Sequence, residues 1–417
     1  MTKMPPNRLA AILLVGALTP ASARAAEPST IPAASDGAYE DARRHHARFL
    51  FDDAAAAYEK AAEDPTSAHA KQALFHAALL RLGLGTDLDV TKAKEDVARF
   101  HHIAGPTTAS QSLELALALG AHYAAKESWA EVARVIHESR GLTDPLAGID
   151  LRVRAHALLG RAEARQKREL QSSVEYKRVL GLWGEGPAAM KGIADAYPDE
   201  NDAQKSIRLE KALDAVGEAL FARATEYERA TLQGLSFPNY LGTSDQPVEV
   251  RKHIATKVIA WTHRKWTALE KVEREYRQIV GTPSLSPRWV LAARARIAVL
   301  WGTFATEPRK APYPSRWKKQ GCAVHCNTPA EIEWSEVRGL YFALVDEVGE
   351  RIKTERAKPA FVACFGQARK LEYVDASSRA CEVWLERHAP DTYHPVDELR
   401  LSPTLSVEPR VGGAPLL

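Results

Sequence analysis

Between residues 113 and 139, small and large apolar residues recur at spacings of three and four along two consecutive stretches. Leu119-Gly120-x-x-Tyr123 is followed by Trp129-x-x-Val132-x-x-x-Ile136. That spacing gives each stretch one apolar face as an α-helix, and the small positions let the first helix lie close against the second. A hairpin of two such helices leaves part of its apolar surface uncovered. It becomes stable only when similar hairpins stack against it. This segment therefore constrains the chain towards a row of helical hairpins, an architecture that favours binding over catalysis.

The frame is that of the tetratricopeptide repeat (TPR), whose period is about 34 residues. A second match is Phe51-x-x-Ala54-x-x-x-Tyr58-x-x-Ala61, closing at Pro65 one residue early, with Ala42 and His45 at the small and aromatic positions of its first helix. A degenerate pair of helices is expected between about 70 and 104, joined by Gly85-Thr86-Asp87. Leu159-Gly160, with Ser172, Tyr176 and Val179, marks a fourth hairpin. Residues 38–184 are thus read as degenerate TPR-like repeats.

Residues 185–402 are read as a C-terminal helical region without the repeat. Leu209, Leu213, Val216, Leu220, Ala224 and Tyr227 mark one face of a long helix, and a second is expected over 248–280. Ser286-Pro287 opens another, with Ala293, Ile297, Leu300, Trp301 and Phe304 as its stripe. An irregular loop with two cysteines is expected over 307–327. Thr328-Pro329-Ala330-Glu331 reads as a capping box that starts a helix. Two short helices follow, over 361–371 and 376–388. Alternation of period two is nearly absent. The expected fold is all-α: a TPR-like α-solenoid followed by a long-helix domain.

The first 25 residues carry Lys3 and Arg8, the apolar run Leu9 to Leu18, and Ala23-Arg24-Ala25, which together read as a secretory signal. Residues 26–37 read as a linker and 403–417 as a loose tail. The apolar run is too short to span a bilayer, and no later segment is apolar enough, so no integral membrane segment is expected in the mature chain. Lys3, Arg8 and Arg24 account for the excess of 56 basic over 53 acidic residues. Without that excess, nucleic acid is not an expected partner. An exported, periplasmic location follows from the leader.

Four cysteines in an exported chain favour disulfides. Three pairings are possible. Cys364 and Cys381 flank a turn between two short helices and can meet across that hairpin, leaving Cys322 with Cys326. The run Cys322-Ala-Val-His-Cys326 departs from the zinc spacing C-x2-C and from the haem motif. No G-x-S-x-G, H-E-x-x-H or Walker loop is present, so no enzyme activity or cofactor is expected. The pairs His45-His46 and His101-His102 point about 100° apart on a helix and read as solvated or half-buried residues.

Candidate partner contacts are His122 and Lys126 on the first helix of the hairpin around 120. Trp266 steps off its apolar stripe and joins them, as does a patch of Trp317, Lys318 and Lys319.

The C-terminal half contains Asp214-Ala-Val-Gly-Glu-Ala219, Phe237-Pro-Asn-Tyr-Leu-Gly242, His253-Ile-Ala-Thr-Lys-Val258, Trp261 and Pro287-Arg-Trp289. It also contains Cys381-Glu-Val-Trp-Leu385 and Tyr393-His-Pro-Val-Asp-Glu-Leu399. Over residues 205–400 this resembles myxobacterial exported TPR proteins of the adventurous gliding-motility machinery, the Agl/Glt envelope complex, and their paralogues. The resemblance implies a non-catalytic envelope component that helps link an inner-membrane motor to the cell surface, with envelope proteins as partners. It carries over no catalytic residue, and the Cys322/Cys326 loop is outside its pattern. The expectation is an exported scaffold for protein–protein interaction; its oligomeric state is left open. The alternative is a peptidoglycan-binding or peptidoglycan-cleaving protein built on a helical superhelix.

Overall fold

A computed structural model describes residues 34–310 and 312–393. The expected signal sequence, residues 26–33 of the linker, and everything after Tyr393, including the 403–417 tail and His394 to Leu399, lie outside the described residues. Residues 34–37 already belong to the first helix. Among the described residues the regular structure is helical except for one pair of short strands. The chain is all-α. It divides into two compact units between Ala219 and Leu220.

The first unit opens with eight helices: α1 (Ala34–Ala47), α2 (Phe51–Ala61), α3 (Ala70–Leu84), α4 (Asp87–Ile103), α5 (Ala109–Ala125), α6 (Trp129–Glu138), α7 (Ile149–Arg165) and α8 (Glu169–Trp183). They pack as consecutive pairs, α1 with α2 through α7 with α8. In addition, α3 lies on α5, and α5 on α7. The small residues set the distances. A Cβ on Gly160 would lie 2.9 Å from the Tyr176 ring, and one on Gly120 would lie 3.0 Å from Leu158. Gly141 is tighter still: its Cβ would lie 2.2 Å from the carbonyl oxygen of Ala109.

The hairpin turns share a geometry that the residue pattern hides. Phe49, Glu127 and Lys167 each adopt a left-handed conformation, with φ of 62°, 55° and 61°. In each case the next amide donates to the carbonyl five residues back: Leu50 to His45, Ser128 to Tyr123 and Arg168 to Glu163. This is the double-bonded helix C-terminus in which glycine is usual. The α3–α4 turn differs. Gly85 takes the left-handed position with one bond to Arg81, and the Thr86 hydroxyl caps α4 by accepting from the Asp89 amide. The hairpin with the most degenerate sequence is thus also the one with a different turn.

Two helices follow the repeats, α9 (Pro187–Ala196) and α10 (Asp202–Leu232). No periodic pattern marks α9, which starts with proline in its first turn after a left-handed Gly186. The unit boundary falls inside α10 and not at residue 184, because side chains bind the start of α10 to α7 and α8. Arg208 pairs with Asp150, and Glu218 accepts from Arg161 and Tyr176.

In the second unit, α11 (Pro247–His253) passes through a π turn (Ile254–Val258) into α12 (Ile259–Gly281), and α13 (Pro287–Lys310) follows. Then α14 (Trp334–Ile352) passes through a π turn (Lys353–Ala357) into α15 (Lys358–Leu371), and α16 (Ala376–His388) closes the unit. Helix α13 is the centre, touching α12, α14, α15 and α16. It buries Trp289, Leu291, Ala293, Ile297, Trp301 and Phe304. Gly349 of α14 crosses it where an added Cβ would meet the Ala305 carbonyl oxygen at 2.6 Å. Cys364 of α15 and Cys381 of α16 are bonded, with Cα atoms 6.3 Å apart, and Cys322 is bonded to Cys326.

Two expectations are corrected by the structure. The loop starts later than 307, because α13 continues through Pro308 to Lys310. Pro308 has no amide to give the Phe304 carbonyl, so the helix passes it one bond short and ends two residues later. Thr328 to Glu331 start no helix. Strand β1 (Cys322–Val324) pairs antiparallel with β2 (Ile332–Glu333), and residues 325–331 are the turn between them. The Thr328 hydroxyl donates to the His325 carbonyl, and the Glu331 carboxylate accepts from the Asn327 amide. The same residue types that cap a helix here close a strand turn, and α14 begins only at Trp334.

Lys167→Gly removes the left-handed strain and is expected to raise stability by about 0.5–1 kcal/mol. Gly160→Ala overpacks the Tyr176 contact and should lower it by about 1–3 kcal/mol. Denaturant midpoints at constant m-value measure both. Replacing Cys364 and Cys381 by serine should cost about 3 kcal/mol, read in the same way.

Candidate functional site

Three neighbouring helices of the first unit each carry one half-exposed row at helical spacing. These are Gln72, His76 and Leu79 on α3; Gln111, Glu114, Ala118 and His122 on α5; and Arg154 and Leu158 on α7. Much of the rest of each helix packs on its partners with apolar residues. Leu113, Leu117, Leu151, Ala155 and Leu159 share one core with Val132 and Ile136.

The rows are joined by amides at one end. Gln111 donates to the Gln72 side-chain oxygen at 2.8 Å, and the Gln72 nitrogen lies 2.8 Å from Nε2 of His76. His76 is pushed down to about 4 by burial, with His46 and Arg43 adding to the effect. It is therefore neutral at physiological pH. His46 is lowered as well, by burial.

On the α5–α7 side the rows carry charge. Burial raises the Glu114 carboxyl, while Arg208 and Arg154 act against the rise. Burial lowers the Arg154 guanidinium, opposed chiefly by Glu114, and it lowers Lys211 of α10 too. Glu114 and Arg154 sense each other electrostatically, yet among the described residues neither makes a side-chain hydrogen bond or an ion pair. Both keep partial access to solvent.

The neighbouring groups are fully engaged. Asp150, at the start of α7, is 0% exposed. It accepts from the Tyr197 hydroxyl at 3.0 Å and from Arg208 at 3.4 Å. Arg208 also holds Glu200 at 2.6 Å and lies over the Tyr197 ring at 3.9 Å from its centroid. This clamp fixes the start of α10 on α7. It puts Lys211, three residues after Arg208, in the field of Glu114 and Arg154.

The contacts expected from sequence are scattered. His122 lies on the α5 row, its pKa lowered by burial and by Lys126 and Lys94. Lys126 sits beyond the helix end and pairs with Asp87 at 3.3 Å. In the second unit Trp266 is half-buried at the edge of its stripe. Its indole donates to Glu270, and Arg356 lies over its ring at 4.9 Å. Trp317 is no surface contact: it is 0% exposed. Its indole donates to Asp245 at 2.7 Å, and its ring packs on Tyr240 and Tyr341. An aromatic residue in a proline-rich loop here anchors that loop. Lys318 and Lys319 are exposed beside it. His122 and Lys126 belong to the first unit, and the other four expected residues to the second.

Glu114, Arg154, Lys211 and the two glutamines were missed. A signal exists for one of them: Glu114 is a lone acid inside Leu113-Glu-Leu-Ala-Leu-Ala-Leu119. Nothing local marks Lys211, which reaches the group only through the Arg208 clamp. No protein-family profile matches the chain, and no curated protein matches it significantly.

Arg208→Ala would leave Asp150 buried with only a tyrosine partner. It is expected to cost about 2–4 kcal/mol, measured by chemical denaturation, and to loosen α9 and the start of α10 first in hydrogen exchange.

Proposed function

We propose that this chain is a non-catalytic scaffold that docks an extended segment of another protein along the rows of α3, α5 and α7. The observation that carries the reading is the pair Glu114 and Arg154. Sheltered charges without partners are costly, and a ligand that supplies the partner removes that cost. Arg154 and Lys211 outnumber Glu114, so the segment's anchor is a carboxylate. Ala118 and Leu158 offer apolar contact beside it, and the Gln72–Gln111 bond can be exchanged for bonds to a peptide backbone. Stacked helical hairpins bind segments in this way, through shape and scattered polar contacts.

The setting we propose is a cell-envelope assembly outside the cytoplasm. Two bonded cysteine pairs suit an oxidising compartment. No helix among the described residues is long and apolar enough to cross a membrane. The expected leader and the resemblance to gliding-motility envelope proteins point the same way, and the motility assignment rests on that resemblance.

Selection from a displayed random-peptide library is expected to enrich peptides with an acidic residue flanked by apolar ones. The double variant Arg154→Glu with Lys211→Glu should bind them at least tenfold more weakly while melting at the same temperature. Enriched peptides that bind the variant equally well would sink the proposed face. Clearing of a peptidoglycan gel by the purified chain would sink the non-catalytic reading.

A further inference from the structure

A second cluster of charge lies away from the rows, where α2, α3 and α4 meet. Arg81 of α3 is almost fully buried and is shared by three carboxylates. Its Nε donates to Glu59 at 2.6 Å, and its Nη1 serves both Asp52 and Asp89, the latter at 2.9 Å. Asp96, two turns after Asp89 on α4, is left outside this arrangement. It is 3% exposed, and its Oδ2 has no hydrogen-bond partner. Its other oxygen has only Arg99, at 3.6 Å. Arg99 is itself turned away, giving a 2.7 Å bond to the Ala62 carbonyl at the end of α2.

We propose that Asp96 is a proton-binding site that makes the packing of α4 against α2 and α3 respond to pH near neutrality. An ionised carboxylate at this position would have one oxygen bare in the interior and Glu59 in its field, a costly arrangement. The neutral acid avoids most of that cost. The groups facing Asp96 are Glu59 from α2, Arg81 from α3, and Glu95 and Arg99 from its own helix. Burial and Glu59 raise its pKa to about 7, against the pull of Arg99 and Arg81.

The folded pKa lies above the unfolded value, so between them the folded chain holds a proton that the unfolded chain has lost. The stability contributed by Asp96 therefore falls as pH rises towards 7 and levels off above it. Below pH 6.5 the neutral, half-buried His46 and His76 act in the opposite direction, because the unfolded chain then takes up protons that they refuse. The unfolded chain still carries part of those histidine protons just above pH 6.5, so the Asp96 contribution is read against Asp96→Asn, in which the histidine contribution is unchanged. From pH 6.5 to 8 the unfolding constant of wild type relative to that of Asp96→Asn should rise about fourfold.

Hydrogen exchange of the intact chain, corrected for intrinsic rates, tests this. From pH 6.5 to 8 the protection of α2 and α4 amides in wild type, relative to that in Asp96→Asn, is expected to fall about fourfold. A ratio that does not change with pH would overturn the proposal. Should the variant fail to fold, carboxyl-carbon NMR of aspartate-labelled wild type decides. Half-titration of Asp96 near 7 supports the site, and half-titration near 4 overturns it.

Discussion

Asp150 has no solvent-exposed surface, and its partners Arg208 and Tyr197 reach it from beyond the repeats. An unpaired carboxylate there would destabilise the start of α7 by several kcal/mol, about 3–5 for a broken buried pair. The clamp therefore decides where the first compact unit ends. It draws α9 and the start of α10 onto the last hairpin, and Glu218 with Arg161 and Tyr176 extends the same attachment. The charged end of the candidate face depends on it as well, since Lys211 is carried on the helix that Arg208 holds.

The parts of this arrangement that sequence made legible are those governed by periodic burial. The apolar frames at Tyr58, Leu119, Val132 and Tyr176 mark real hairpins, and the small residues Gly120 and Gly160 lie where helices approach closely. The cysteines pair as the α15–α16 hairpin suggested. The features that stayed hidden were set by backbone and by distance in the chain. Phe49, Glu127 and Lys167 occupy a turn position at which glycine is the usual sign, so three like turns had no common residue to betray them. Thr328 and Glu331 carry capping chemistry, but pairing of Ile332–Glu333 with Cys322–Val324 claims the segment first. Trp317 looked like a surface aromatic because its partners, Asp245, Tyr240 and Tyr341, are remote in sequence.

The second unit solves a different problem. A long central helix with aromatic residues must be covered on several sides, and α13 is enclosed by α12, α14, α15 and α16. Two of the covering helices are extended through π turns rather than broken. Each π turn adds a residue to the local helical turn and so rotates the next helical segment relative to the preceding one. After the first, Trp261 faces inward, its indole bonded to the Leu235 carbonyl. After the second, Phe361 reaches Gly302 at the narrowest part of α13. Arg356, within that second turn, reaches Trp266 and Glu270 of α12. This engages the tryptophan that the sequence left as an open contact.

Three sheltered carboxyl groups of the first unit meet burial in three different ways. Asp150 is paired and hydrogen-bonded, so it serves as a structural tie. Asp96 is buried with a bare oxygen, and its low-cost state is the neutral one. Glu114 lies between these cases, with burial enough to raise its pKa, access enough to admit a ligand, and Arg154 near without pairing. A scaffold selected for stability alone would gain by bringing Glu114 and Arg154 into contact or by replacing both with apolar residues. Leaving them apart on adjoining helices costs stability in the free chain. On the proposed reading, a docked segment offsets that cost.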